Sequence, residues 1–328
     1  MKQSYQLTLI AGIFALGATA SVSAIAQTDG YPQRPIKFVV PFPAGGGTDA
    51  MTRLLSHKLT VDNGWTFVVE NKPGAGGNVA LDQTAKSPAD GLTMVMAQTD
   101  NVVLNPLLYK KLTYDPIKDL RAVALVAAGP AVLVVNTDSP FKTLEDINKA
   151  ALANPGKLTF ASPGTGTISH VISEAWQKSA GVQFSHVPYR GMAQALPDLL
   201  GGRVDMYMGS VPTLISQIQA GKVRAIAVTT AERSEMIPSV PTYNESGVKG
   251  VELASVWGVM VPSKTPDAIV NKLNAAINKA ISDPETKKKI LDSGAQLVSG
   301  SPADMEKRYT NDRNLLAPIV KSSNMSMD

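Results

Sequence analysis

Residues 42–49 read Phe-Pro-Ala-Gly-Gly-Gly-Thr-Asp, and residues 162–167 read Ser-Pro-Gly-Thr-Gly-Thr. Each follows a short apolar run and precedes a segment with helical apolar spacing. A glycine-rich strand-to-helix turn lets backbone N–H groups approach an anion closely. In the first turn, after Phe42, Pro43 and Ala44 leave the strand, and Gly45, Gly46 and Gly47 permit positive φ. Thr48 is placed to cap the helix, and Asp49 suits its first turn electrostatically. In the second turn Thr165 or Thr167 is the cap, and the hydroxyls beside Ser162, Gly164 and Gly166 add a polar cradle. A third turn, Lys-Pro-Gly-Ala-Gly-Gly-Asn at 72–78, either lines the same cleft or is a plain turn and cap. One such turn often binds nothing. Two at equivalent places favour a shared ligand.

Other chemistry is sparse. The lysine of a nucleotide phosphate loop is missing from both turns, and neither GxGxxG nor GxSxG occurs. His57, His170 and His186 lack metal-ligand spacing, and there is no cysteine. His57 reads as a solvated helix flank. His170, in the first turn after residues 162–167, can reach the cleft. Ser169 beside His170 is a weak signal of nucleophilic chemistry, because adjacent helical residues do not face each other. Asp205 reads as structural and the methionines as core filling. No catalytic residue, cofactor or metal is expected, which points to ligand capture.

The elements that must position these turns alternate. Strand-like runs at 36–40, 67–70, 92–97, 158–161, 184–189, 204–208, 223–229 and 256–261 are interleaved with helical patterns at 51–59, 79–85, 144–152, 168–176, 193–200 and 214–220. Residues 122–126 and 131–135 form a long apolar pair around Gly129-Pro130. Helical patterns at 269–281, 285–293 and 303–317 close the chain. Such alternation predicts parallel sheets covered on both faces, with ligands beyond the carboxyl ends of strands. Two glycine turns, each opening its own series, predict two lobes. The pair around Gly129-Pro130 and the strand at 256–261 are the candidate crossings.

The N-terminus has one charge, Lys2, before an apolar stretch over 7–22 and Ala24-Ile25-Ala26. This is the pattern of a cleavable signal peptide over 1–26, so the mature chain is expected to be exported. A membrane anchor is the weaker alternative, since the apolar core is shorter than the ~20 residues a spanning helix needs. Formal charge is +4, or +3 without Lys2. No basic cluster with interleaved aromatics suggests nucleic acid. The run Lys287-Lys288-Lys289 reads as a solvated helix face.

Taken together, these segments resemble the Bug receptors, the periplasmic solute-binding proteins of tripartite tricarboxylate transporters. The resemblance is carried by YPQRPIKFVVPFPAGGGTD (31–49), VVENKPGAGGN (68–78), LNPLLYKKLTYDP (104–116), VLVVN (132–136) and PGKLTFASPGTGTISH (155–170). It continues through HVPYRG (186–191), DLLGGRVDM (198–206), AGKVRAIAVTTAERS (220–234) and VPTYNESG (240–247). It implies a type II periplasmic-binding-protein fold, two doubly wound α/β lobes joined by two crossing strands. On this chain the lobes would be 27–128 with 252–328, and 129–251. It implies a monomer that closes on a small organic carboxylate and serves membrane permease subunits. The family's two gripping loops correspond here to Phe42–Asp49 and to 162–167 with His170.

Family members often carry an aspartate where this chain has Gly209. Its loss removes repulsion and is expected to add room, favouring a bulkier or doubly anionic ligand. Ser210, Gln98, Thr99 and Asn101 are the candidate distal polar contacts. Arg190 is either a positive contact or a surface residue. An aromatic dicarboxylate such as terephthalate and an aliphatic acid such as adipate or citrate both fit. The alternatives are an exported α/β hydrolase using Ser162 or Ser169, a receptor reporting to a sensor kinase, and an interaction module without a ligand.

Overall fold

The computed structural model describes residues 30–323 and 325–327. The expected signal peptide, 1–26, lies outside the described residues. The chain begins with β1 (Ile36–Val40), α1 (Gly47–Asn63), β2 (Phe67–Asn71), α2 (Asn78–Ala85) and β3 (Thr93–Gln98). A π-helical turn (Asp100–Leu104) and a short helix, α3 (Asn105–Leu108), follow. Neither is visible in the apolar periodicity. A long strand, β4 (Leu120–Asn136), then leads to α4 (Leu144–Ala153), β5 (Thr159–Ser162), α5 (Ile168–Ala180), β6 (Ser185–Pro188) and α6 (Met192–Leu200). Next come β7 (Met206–Ser210), α7 (Val211–Gln219) and β8 (Val223–Val228). The chain returns through β9 (Ala254–Pro262) and ends with α8 (Asp267–Ser282), α9 (Pro284–Asp292), β10 (Gln296–Leu297) and α10 (Pro302–Ser322). Local signals agree with these ends. Thr143 with Asp146 and Ser301 with Asp304 make capping boxes, and left-handed Gly64 and Gly181 stop α1 and α5.

The strands lie in the order β2-β1-β3-β9-β4-β7-β5-β6, with β8 and β10 also paired to β4. Residues 122–126 and 131–135, expected as a pair around Gly129-Pro130, are instead one continuous strand. The reason is where its partners change. Up to Pro130, β4 pairs with β9, and from Ala131 it pairs with β7 and β8. Proline gives no ladder donor, so it is tolerated where the ladder changes hands. Two α/β halves are thus joined by two crossing stretches, β4 and the approach to β9. Thr229 staples them: its N–H donates to Ala131 O (3.0 Å) and its hydroxyl to Leu253 O (2.6 Å).

Strand direction sets the site. β1 is parallel to β2 and β3, and β5 is parallel to β6 and β7. β4 is antiparallel to β9, itself antiparallel to β3, and β4 is also antiparallel to β7. The carboxyl ends of both parallel sets therefore meet near the middle of β4. Gln98 ends β3 opposite Trp257, which faces Ala127, while Ser210 ends β7 opposite Ala131. Positions 127 and 131 are about 13 Å apart along a strand.

Trp257 packs against this midpoint. A Cβ on Gly129 would fall 2.3 Å from Trp257 Cη2, a separation that forces the indole to move. Gly129→Ala is expected to destabilise the fold by about 1–3 kcal/mol through overpacking. Urea or thermal denaturation checks this; an unchanged midpoint would show that the indole relocates at no cost.

Candidate functional site

The first turn runs from the end of β1 into α1. Gly45 has φ +82, and Gly46 is the N-cap residue in extended conformation. Asp49 holds the turn. Its Oδ2 accepts from Gly45 N–H (3.0 Å), and it pairs with Arg53 Nε (3.0 Å). Its Oδ1 accepts from Asn71 Nδ2 (3.0 Å), which also donates to Phe42 O (3.0 Å). Burial works against the charged form, but the bonds from Arg53, Gly45 and Asn71 outweigh it and hold the carboxyl below its ordinary range.

Thr48 does not cap the helix as expected. It is the second residue of α1 and faces inward, where its hydroxyl donates to Gln98 Oε1 (2.7 Å) and accepts from Trp257 Nε1 (2.9 Å). Among the described residues nothing accepts from the N–H groups of Gly46, Gly47, Thr48 and Asp49. These are the orphan donors that every helix start leaves. They form a row of donors with the positive end of the helix behind it.

The second turn is arranged differently. Thr167 occupies the N-cap position of α5, yet its hydroxyl donates to Gly164 O (2.8 Å) rather than to the helix. Ser162 Oγ bonds Gly164 O (3.0 Å) and accepts from Gly164 N–H (3.2 Å). Gly166 N–H donates to His170 Nδ1 (3.2 Å), and Ile168 N–H donates to Asp100 Oδ1 (2.8 Å). Most donors of this turn are therefore already used; the N–H groups of Thr165 and Ser169 find no acceptor among the described residues.

His170 and His186 stack beneath the turn, with ring centroids 3.9 Å apart at 13°. Burial, with the charge of His186 as a second cause, pushes His170 down to about 3. Burial lowers His186 to about 4. Burial also raises Glu174, 3.8 Å from His170 Nε2. His186 Nε2 lies 2.7 Å from Ser162 Oγ. A serine–histidine contact invites a hydrolytic reading, but Ser162 is fully buried. Among the described residues no carboxylate is bonded to the other nitrogen of His186. Ser169, also buried, makes no such contact.

The remaining candidates divide. Ser210 is the N-cap residue of α7, and its hydroxyl bonds Thr213 Oγ1 (2.8 Å). A Cβ at Gly47 would lie 3.4 Å from Thr213 Oγ1, 3.5 Å from Trp257 and 3.7 Å from Pro212. The first turn therefore lies directly against the β7–α7 turn. Gln98 is buried at this junction. Asn101 Oδ1 accepts from Gln98 N–H (2.9 Å), while its Nδ2 is buried without a partner. Thr99 turns toward α10, bonding Asp312 Oδ2 (3.4 Å) and Val256 N–H (3.0 Å). Arg190 is exposed. The room expected at Gly209 is not there: a Cβ would fall 2.7 Å from Tyr207 Cε1. Residues two apart on a strand share a face, so the Tyr207 ring leans into that space. Asp205 is structural as expected, accepting from Thr159 N–H and Oγ1 at 2.7 Å each. Trp257, Pro212, Thr213 and Asp100 are absent from the expected set. Among the described residues no group of three or more histidine or acidic side chains is arranged to hold a metal ion.

The profile described as Tripartite tricarboxylate transporter family receptor matches residues 51–325. The chain belongs to that family. It is 41% identical over 306 residues to a protein of Pseudomonas sp. (strain P51) named for the tcbD-tcbE intergenic region, covering 92% of this chain and 90% of the relative. It is 35% identical to Protein BugT of Bordetella pertussis, covering 90% and 91%. The structure titled R. palustris Rpa4515 with adipate superposes with a TM-score of 0.87 at 33% identity, covering 90% of this chain and 99% of that one. MatC from Rhodopseudomonas palustris with bound malate gives 0.82 at 29%, covering 88% and 100%. The expected Bug resemblance and periplasmic-binding-protein fold are thus confirmed, and family and fold are those of solute-binding receptors.

The histidine pair generates a pH prediction for this receptor. Folding favours the neutral imidazoles. Their contribution is complete above the unfolded value of 6.5 and is lost as pH falls toward about 4 for His186 and about 3 for His170. The melting temperature is expected to fall from pH 6.5 to pH 4. His186→Gln should lose part of that slope. Circular dichroism melts at stepped pH measure it; equal slopes in both proteins would contradict the assignment.

Proposed function

We propose that this receptor captures a small organic carboxylate in the periplasm and delivers it to the membrane permease of a tripartite tricarboxylate transporter. The lobes that close on it would be 27–128 with 252–328, and 129–251. The observation that carries this is the row of unpaired N–H groups at Gly46, Gly47, Thr48 and Asp49 lying against Pro212 and Thr213 of the other half. A carboxylate can take two or more charge-assisted bonds from such a row without a lysine or arginine. Two related structures, one with adipate and one with bound malate, support a dicarboxylate as the ligand. An aromatic diacid such as terephthalate remains within the class. The crowding at Gly209 withdraws the argument from added room, so preference for a bulkier ligand no longer follows from that position.

A thermal-shift screen of mono-, di- and tricarboxylates tests the proposal on protein unfolded and refolded to strip any carried-over ligand. Ligand at a hundredfold excess over Kd should stabilise by about 2.7 kcal/mol. No shift with any member, on a sample that melts cooperatively, would sink it. Gly47→Val offers a second check. Its branched side chain would wedge between Thr213, Trp257 and Pro212. Affinity for the best diacid in titration calorimetry should drop about tenfold or more, on a variant whose ligand-free melt is still cooperative.

A further inference from the structure

Asp100 stands two residues past the end of β3 and is 3% exposed. Its carboxylate meets donors on every side. Oδ1 accepts from Ile168 N–H at 2.8 Å. Oδ2 accepts from Gln98 Nε2 and from Ser255 Oγ, each at 2.9 Å. The far end of Gln98 continues the chain, since its Oε1 accepts from Thr48 Oγ1 (2.7 Å) and Trp257 Nε1 (3.1 Å). A side-chain amide has one donor end and one acceptor end, while an ionised carboxylate only accepts. Asp100 therefore decides which way Gln98 points. Through Gln98 it decides where the Thr48 hydroxyl proton goes. The same carboxylate holds the first N–H of α5.

We infer that Asp100 is a positioning residue shared by both turns: it orients Gln98, Thr48 and Trp257 behind the first turn and fixes the start of α5 behind the second. The inference rests on the proposed carboxylate-binding function for its role in affinity, though not for its geometry. It also divides the labour between the turns. The N-terminus of α5 already has an anion supplied by the protein, so a ligand carboxylate is left to the open N–H row of α1. Burial raises the Asp100 carboxyl above its ordinary range, and the bonds from Ile168, Ser255 and Gln98 offset only part of that; donors on both oxygens are nonetheless the contacts of an ionised carboxylate. Titratable groups on the elements packed around it include Tyr309, Arg308 and Asp312 of α10 and His170 and Glu174 of α5.

Asp100→Asn tests this directly. The backbone N–H of Ile168 cannot turn away and keeps the remaining oxygen, while the Ser255 hydroxyl can turn to accept, so the new NH2 group faces Gln98 Nε2. Gln98 must then turn, and its Oε1 leaves Thr48 and Trp257. The indole N–H resonance of Trp257, assigned by its loss in Trp257→Phe, should move in the ligand-free protein. The Kd for adipate or malate, whichever binds the parent protein, should rise about tenfold or more. An unmoved indole resonance in a folded variant overturns the inference, and so does unchanged affinity. If the parent binds neither diacid, the functional proposal is what has failed, and the indole resonance alone decides the present point.

Should Asp100→Asn fail to fold, Gln98→Glu serves instead. It puts a second carboxyl against Asp100, and two such groups sharing one proton raise one pKa strongly. With the shared proton in place, the new carboxyl donates to Asp100 and accepts from Thr48, as Gln98 does. The indole resonance should return to its parent position as pH is lowered from about 8 to about 5.5, a range over which the parent protein stays flat. A Gln98→Glu resonance that ignores pH overturns the inference.

Discussion

The first N–H groups of an α-helix have no acceptor within the helix, and this protein turns the starts of two helices toward the middle of one strand. The rest of the architecture follows from what becomes of those donors. At α5 most are used internally, by Asp100, by His170 and by Gly164, with Ser169 N–H left open. At α1 four remain open. A carboxylate brought to the open set completes a pattern already present at the other helix, where the protein itself supplies the anion.

Charge is used sparingly around this arrangement. Arg53 is spent on Asp49 and Arg190 is exposed. His170 and His186 are held neutral by burial. The candidate grip is therefore made of backbone dipoles. Such a grip suits reversible capture, because a full ion pair buried away from water demands excellent geometry to offset desolvation. The missing lysine of a nucleotide loop is consistent with this: one carboxylate carries less charge than a polyphosphate.

Much of this was legible in the residue order. The alternation of strands and helices, both glycine turns and the family resemblance come from local patterns of apolar spacing, glycine and hydroxyl residues. What stayed hidden depends on distant partners. Thr48 has the chemistry of a cap, but Trp257, 209 positions away, takes its hydroxyl. Asp100 meets Ile168 across 68 positions. Periodicity carries no trace of such pairs. Gly209 misled for a related reason. A missing side chain suggests space only when its neighbours stay still, and Tyr207 does not leave that space empty. Pro130 looked like a break because proline usually is one; here the change of partners on β4 absorbs it.

That proline also has a mechanical meaning. β4 is a single strand clamped along one stretch by β9 and along the next by β7 and β8. Between the clamps stands a residue with no N–H, beside Gly129, which carries no side chain. Torsional compliance in such a rod concentrates where cross-links are fewest. Twisting one half against the other would load this short collar, and both ladders could stay intact. The Trp257 indole, seated on Gly129, packs against that collar, so a twist there would be felt first by its ring.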